Sequence, residues 1–141
     1  MKTRQKTSIL YLDDEETCLD VFSQTFSEEY LVVAVSTLAA ARDALKSKRF
    51  DIIISDQQMP EIDGLTFLRE VARFHPETFR MMLTGSIGLG DVFREVSEGI
   101  IHLFVTKPWT ETNMRQALER AALSDSNPGP DNADDFTRNA A

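Results

Sequence analysis

The sequence predicts an α/β fold built on a parallel sheet, and three observations carry that prediction. Five short apolar runs alternate with five longer amphipathic segments, the order of a strand–helix repeat. Several of the runs are rich in β-branched residues with no polar alternation, as in strands covered on both faces. At 141 residues the chain suits one domain that buries about two-thirds of its unfolded surface, enough for a core without metal or disulfide staples.

The elements follow in order. "SILYL" (8–12) reads as the first strand, and 15–28 as the first helix. "YLVVAV" (30–35) is the second strand, followed by a helix over 36–48 in which Leu38, Ala41 and Leu45 form an apolar stripe. "DIIIS" (51–55) is the third strand; Met59-Pro60 and Asp63-Gly64 are turn chemistry leading into a helix over 64–75, with Asp63 a cap or turn residue. "RMMLT" (80–84) is the fourth strand, with Met81 and Met82 packing in the sheet, and a helix is expected over 89–97. "IIHLFV" (100–105) is the fifth strand. A last helix, 110–124, has Thr110 as its N-cap before Glu111, with Leu118, Ala121 and Ala122 near helical spacing. Short connections and right-handed crossovers leave no room for a second domain between them. After Leu123 the composition turns to Pro, Gly, Asn and Asp around an isolated Phe136, so 125–141 is expected to be an acidic flexible tail or linker stub.

Composition narrows the function. Cys18 is the only cysteine, which excludes a disulfide framework or a cysteine-clustered zinc site; it is expected to pack as a small apolar residue. No apolar run approaches the about 20 residues of a membrane span, and "MKTRQKT" lacks the apolar stretch of a signal peptide, so a cytoplasmic protein is expected. Net charge is −8, from 15 basic and 23 acidic residues, an acidic body that argues against direct nucleic-acid binding.

The strand ends hold the chemistry. Strand one runs into Asp13 and Asp14, strand three into Asp56, strand four into Thr84, and strand five is followed by Lys107. Open α/β sheets bind ligands outside the carboxyl ends of their strands, so these five side chains are expected around one cleft. Three carboxylates there repel, at roughly 4 kcal/mol for one pair about 4 Å apart at an effective dielectric near 20. The cluster therefore calls for a cation, and an all-oxygen ligand set without His or Cys favours Mg²⁺. A carboxylate beside Mg²⁺, a hydroxyl and a lysine are the parts needed for phosphoryl transfer onto an aspartate, with Asp56 as the nucleophile.

Taken together, "YLDDEE", "SDQQMPEIDG", "MMLTG" and "FVTKPW" resemble the receiver domain of bacterial two-component response regulators, over about residues 7 to 124. The resemblance implies a flavodoxin-like sheet of order 2-1-3-4-5 flanked by five helices. It implies that Asp56 accepts a phosphoryl group from a phosphohistidine on a sensor histidine kinase or histidine phosphotransfer domain. By position, Asp14, Asp56 and the backbone carbonyl of Gln58 bind Mg²⁺ directly, Asp13 binds it through water, Thr84 hydrogen-bonds the phosphoryl group and Lys107 pairs with it. The family's Lys-Pro bond is usually cis, and Phe104 stands at its switch aromatic. The implied readout is the surface of the fourth helix, fifth strand and fifth helix, acting on an output domain or protein; a homodimer through that face is a further expectation.

Other residues read more plainly. Glu15 and Glu16 are acids at a helix N-terminus, where the dipole favours them by about 0.3–1 kcal/mol each. His75 and His102 stand apart from each other and from the acids. The resemblance also implies that Gln58 and Ser86, two residues after Asp56 and Thr84, flank the path of a hydrolytic water. Trp109 has two readings, an anchor for the last helix or an exposed contact. Ile87, Phe93 and Met114 are candidates for an apolar surface near strand five. A Mg²⁺-dependent phosphohydrolase of the haloacid dehalogenase type is disfavoured, because such enzymes need a second Asp where Gln58 stands. A receiver that never carries phosphate is disfavoured by the intact acid and lysine set. No Gly-rich phosphate loop follows strand one, which speaks against a nucleotide-binding domain.

Overall fold

Each apolar run becomes a strand; four lie within one residue of their expected ends, and the fifth begins at Leu103, three residues later than expected. The computed structural model describes residues 6–85, 96 and 98–125. It contains β1 (Ser8–Leu12), β2 (Leu31–Val35), β3 (Ile52–Asp56), β4 (Phe79–Thr84) and β5 (Leu103–Thr106), all parallel, in the order β2-β1-β3-β4-β5. The described helices are α1 (Glu16–Phe26), α2 (Leu38–Ser47), α3 (Gly64–Phe74) and a C-terminal helix, Glu111–Asp125. The helix expected over 89–97 lies outside the described residues apart from Val96, which is helical. Ser86, Ile87, Phe93 and Phe136 lie outside them as well. Among the described residues, no helix is long and apolar enough to cross a membrane.

Alternation along the strands sorts the core onto two faces. Ile9, Tyr11, Ile52, Ile54, Met81 and Leu83 meet α1 and the C-terminal helix, whereas Leu10, Leu12, Ile53 and Met82 meet α2 and α3. β1 and β3 are buried at every residue, but the two sheet edges depart from the expectation of full burial. β2 is exposed or half-buried throughout, and β5 buries only Val105, since an edge strand has a neighbour on one side alone. Met114 is fully buried in the core, which corrects its reading as part of an exposed apolar surface. Trp109 is half-buried, its ring 6.0 Å from Phe22 and 6.2 Å from Phe26, so it anchors the start of the C-terminal helix against α1. Caps set the helix starts: Asp63 Oδ1 accepts from Thr66 N at 2.8 Å, and Thr37 and Thr110 hydroxyls each accept from the amide three residues on, at 3.1 Å.

At the amino end of the sheet, far from the aspartates, one arginine clamps two loops. Arg80 is only 4% exposed and faces backbone carbonyls: its guanidinium donates to Ile100 (2.8 Å), Thr78 (2.9 Å) and Gly99 (3.0 Å). Its amide N–H donates to Nδ1 of His102 at 2.9 Å, and a further guanidinium bond reaches the carbonyl of His75 at 3.4 Å. The two histidines, read as unrelated, therefore meet through Arg80. His102 presents an outer surface to solvent while its ring nitrogens point inward. Burial of those nitrogens, then the guanidinium charge, hold its pKa low, at about 4.

A folded-state pKa below the unfolded value of 6.5 means that the unfolded chain binds a proton that the fold refuses. Stability from this source is present above pH 6.5 and lost as pH falls towards about 4. His102→Asn, which keeps an acceptor and cannot charge, is expected to flatten that loss; urea unfolding at a series of pH values between about 7 and 4 measures it.

Candidate functional site

The strand order reverses at β1, whose neighbours are β2 and β3, and the acidic residues converge at the carboxyl end of that β1–β3 pair. Asp13 follows β1 directly and is fully buried; Asp56 ends β3 and is 6% exposed. Asp56 registers with Leu83 of β4, so Thr84 ends that strand one step further on, buried beside the cleft. Lys107 follows β5, and its amide donates to the Thr84 carbonyl at 2.9 Å, which ties the loop after β5 to the end of β4. The Lys107–Pro108 peptide is cis. A cleft of about 290 Å³ opens here, lined by Asp14, Asp56, Gln57, Gln58, Gly85 and Lys107, with Glu15 at its edge. Asp14 and Gln58 are exposed at its rim.

One ammonium holds the acids together. Lys107 Nζ lies 3.0 Å from Asp56 Oδ1 and 3.1 Å from Asp13 Oδ2. Asp13 is further satisfied by the Tyr11 hydroxyl, which donates at 2.5 Å, and by the Glu15 amide at 2.9 Å. Burial and the neighbouring Asp13 and Asp14 charges raise the Asp56 pKa, against the opposing pull of Lys107. Burial works against the lysine charge, but hydrogen bonds and charge from Asp56 and Asp13 outweigh it, leaving Lys107 above the ordinary lysine range. The Tyr11 hydroxyl is pushed up by burial and by its bond to Asp13, so it acts as a donor and not as an acid.

Three residues at the site were not legible as such. Glu15, read as a helix-end acid, also pairs with Lys107 at 3.4 Å. Cys18, read as an apolar packing residue, is half-exposed and its thiol donates to Glu15 Oε1 at 3.3 Å. Burial and that bond raise its pKa to about 11, so it is held as a thiol. Gly64, read as a turn residue, is required by a close approach: a Cβ there would lie 2.2 Å from the Asp56 carbonyl oxygen. The same crossing is fixed by Gly64 N donating to Gln57 O at 2.8 Å and Leu65 N to Gln57 Oε1 at 3.2 Å. Thus α3 begins directly against the backbone that carries Asp56.

The donor set fits a hard divalent cation. One carboxylate oxygen from each of Asp13, Asp14 and Asp56 can lie within 4.8 Å of the others, with no soft ligand among them. That the lysine already stands between two of them shows how strongly the cluster draws positive charge.

The model of the response regulator receiver domain matches residues 9–119, and the chain belongs to that family. It is 34% identical over 127 residues to the hydrogenase transcriptional regulatory protein HoxA of Cupriavidus necator, covering 87% of this chain and 26% of that protein. It is 29% identical over 124 residues to the transcriptional regulatory protein GlrR of Escherichia coli, covering 87% and 28% respectively. The chain thus spans about a quarter of the length of these relatives. Among solved structures, the signal receiver domain of an HD domain-containing protein from Pseudomonas fluorescens Pf-5 superposes with a TM-score of 0.77 at 29% identity, over 86% of this chain and 90% of that one.

Two substitutions test the construction of the site. Gly64→Ala is expected to cost about 1–3 kcal/mol in urea unfolding, because backbone must move to admit the methyl group, whereas Gly85→Ala, with nothing within 4 Å of its Cβ, is expected to be near neutral. For Asp56, a folded-state pKa raised above the unfolded value means stability is fullest below the unfolded pKa and lost as pH rises through the folded one. In protein freed of divalent ions, Asp56→Asn is therefore expected to raise the melting temperature at neutral pH, with the gain shrinking in acid; calorimetry at the two conditions checks it.

Proposed function

We propose that Asp56 is the residue that takes the phosphoryl group in this receiver domain, and that Asp13, Asp14, Thr84, Lys107 and Gln58 serve that transfer. The observation that carries the reading is the Lys107 ammonium, held between Asp56 at 3.0 Å and Asp13 at 3.1 Å in a cleft open to solvent. An Asp56 carboxylate oxygen bonds to phosphorus as the bond to a histidine nitrogen of the donor breaks. In this reading Lys107 and the Thr84 hydroxyl receive the phosphoryl oxygens. Asp14, Asp56 and the Gln58 carbonyl would hold Mg²⁺, with Asp13 acting through water. Bound there, the metal neutralises charge on the transferring group, as in phosphoryl transfer generally. In this reading the domain catalyses only its own phosphotransfer and then loses the group again to water.

The donor in this reading is a sensor histidine kinase or histidine phosphotransfer domain in the cytoplasm. Residues 7–124 form the receiver in this reading. HoxA and GlrR are named as transcriptional regulators, and transcriptional control is the output class that supports. Phosphorylation adds about two negative charges, draws Thr84 inward and lets Phe104, half-buried on β5, turn. Among the described residues the altered face comprises β5 and the C-terminal helix, where two copies would also pair.

Intact mass after incubation with acetyl phosphate tests the reading. The wild type is expected to gain one acid-labile phosphoryl group in Mg²⁺ and none in EDTA, and Asp56→Asn is expected to gain none. A gain of the same size in Asp56→Asn would place the acceptor elsewhere.

A further inference from the structure

We infer that Glu15 is a positioning residue that holds Lys107 in the unphosphorylated state and is released on phosphorylation, altering the groove between α1 and Trp109. The inference rests on the reading of Asp56 as the acceptor. An ammonium has three N–H donors, and Lys107 already faces three carboxylates: Asp56 at 3.0 Å, Asp13 at 3.1 Å and Glu15 at 3.4 Å. A phosphoryl group on Asp56 adds about two charges and three strong acceptor oxygens. Esterification of Asp56 frees the N–H spent on its carboxylate, but binding two of the phosphoryl oxygens takes a second N–H from Asp13 or Glu15, and environment decides which.

Leaving Asp13 would strip a fully buried carboxylate of its only ionic partner among the described residues, which is costly. The Glu15 side chain is 64% exposed, makes the longest of the three contacts, and water replaces its partner at little cost. Lys107 therefore swings from Glu15 towards the phosphoryl group. Glu15 is also the acceptor for the Cys18 thiol, and both line a mostly apolar groove of about 380 Å³ with Val21, Pro108 and Trp109. Charge placed on Asp56 is thereby transmitted to the α1 side of the molecule, the side opposite α2 and α3.

Cys18 and Trp109 are the only cysteine and tryptophan, so each reports on this groove alone. The full chain is treated with acetyl phosphate and Mg²⁺, and mass gain, Trp109 emission and the rate of Cys18 alkylation by iodoacetamide are followed together. Phosphorylation is expected to speed alkylation about two- to fivefold and to shift the emission. Glu15→Gln is expected to show the faster alkylation before phosphorylation, with no further response, and to take up phosphoryl faster than wild type. Glu15→Asp is expected to restore part of the response. Mass gain at Asp56 with unchanged alkylation and emission, or a Glu15→Gln chain that responds as wild type does, overturns the inference and leaves Asp56 as the acceptor. No mass gain in the wild type overturns the Asp56 reading and this inference with it.

Discussion

A single lysine ammonium compensates a set of acids that could not otherwise share a buried strand end. Asp13 is fully buried and Asp56 nearly so, and a buried carboxylate without a partner would shift its pKa until it became neutral. Lys107 reaches both from beyond β5, two strands away from β3 across β4. That reach depends on the loop after β5 being fixed, which the hydrogen bond from the Lys107 N–H to the Thr84 carbonyl achieves. The residue that neutralises the cleft is therefore mechanically joined to the end of the strand that carries Thr84.

The sheet gives this charge cluster a rigid base. β1 and β3 are buried at every position, so the aspartates at their ends are held by strands with little freedom to recede. Tyr11, one turn of the pleat before Asp13, packs its ring 4.9 Å from Phe22 and spends its hydroxyl on the carboxylate. At the other end of the sheet, Arg80 ties the α3–β4 loop to residues 99–102 through backbone carbonyls. The segment between β4 and β5 is thus anchored at both of its described ends, by Lys107's neighbourhood at one and by Arg80 at the other.

Much of this was legible in the sequence, and what was not has a common cause. The apolar runs located every strand because burial on both faces leaves no choice of residue type. The acids and Lys107 were legible because strand ends in a parallel sheet converge by topology, whatever the loops do. Gly64 was not, since its requirement comes from the Asp56 carbonyl crossing at close range, which no local pattern encodes. Glu15 carried the signature of a helix-end acid, and its second role depends on a lysine 92 residues away. Arg80 sat inside an apolar run and drew no attention, because its partners are backbone carbonyls, which are the same for every sequence. The edge strands were read as buried because composition does not reveal which strand has only one neighbour.

The cleft is proposed as an acidic site for one divalent cation beside a phosphoacceptor. Calorimetric titration of the full chain with Mg²⁺ tests it most directly, comparing wild type with Asp14→Asn and Asp56→Asn. One Mg²⁺ per chain is expected to bind the wild type, and that binding is expected to be lost in both variants. Equal binding in all three proteins, or none in the wild type, would contradict it.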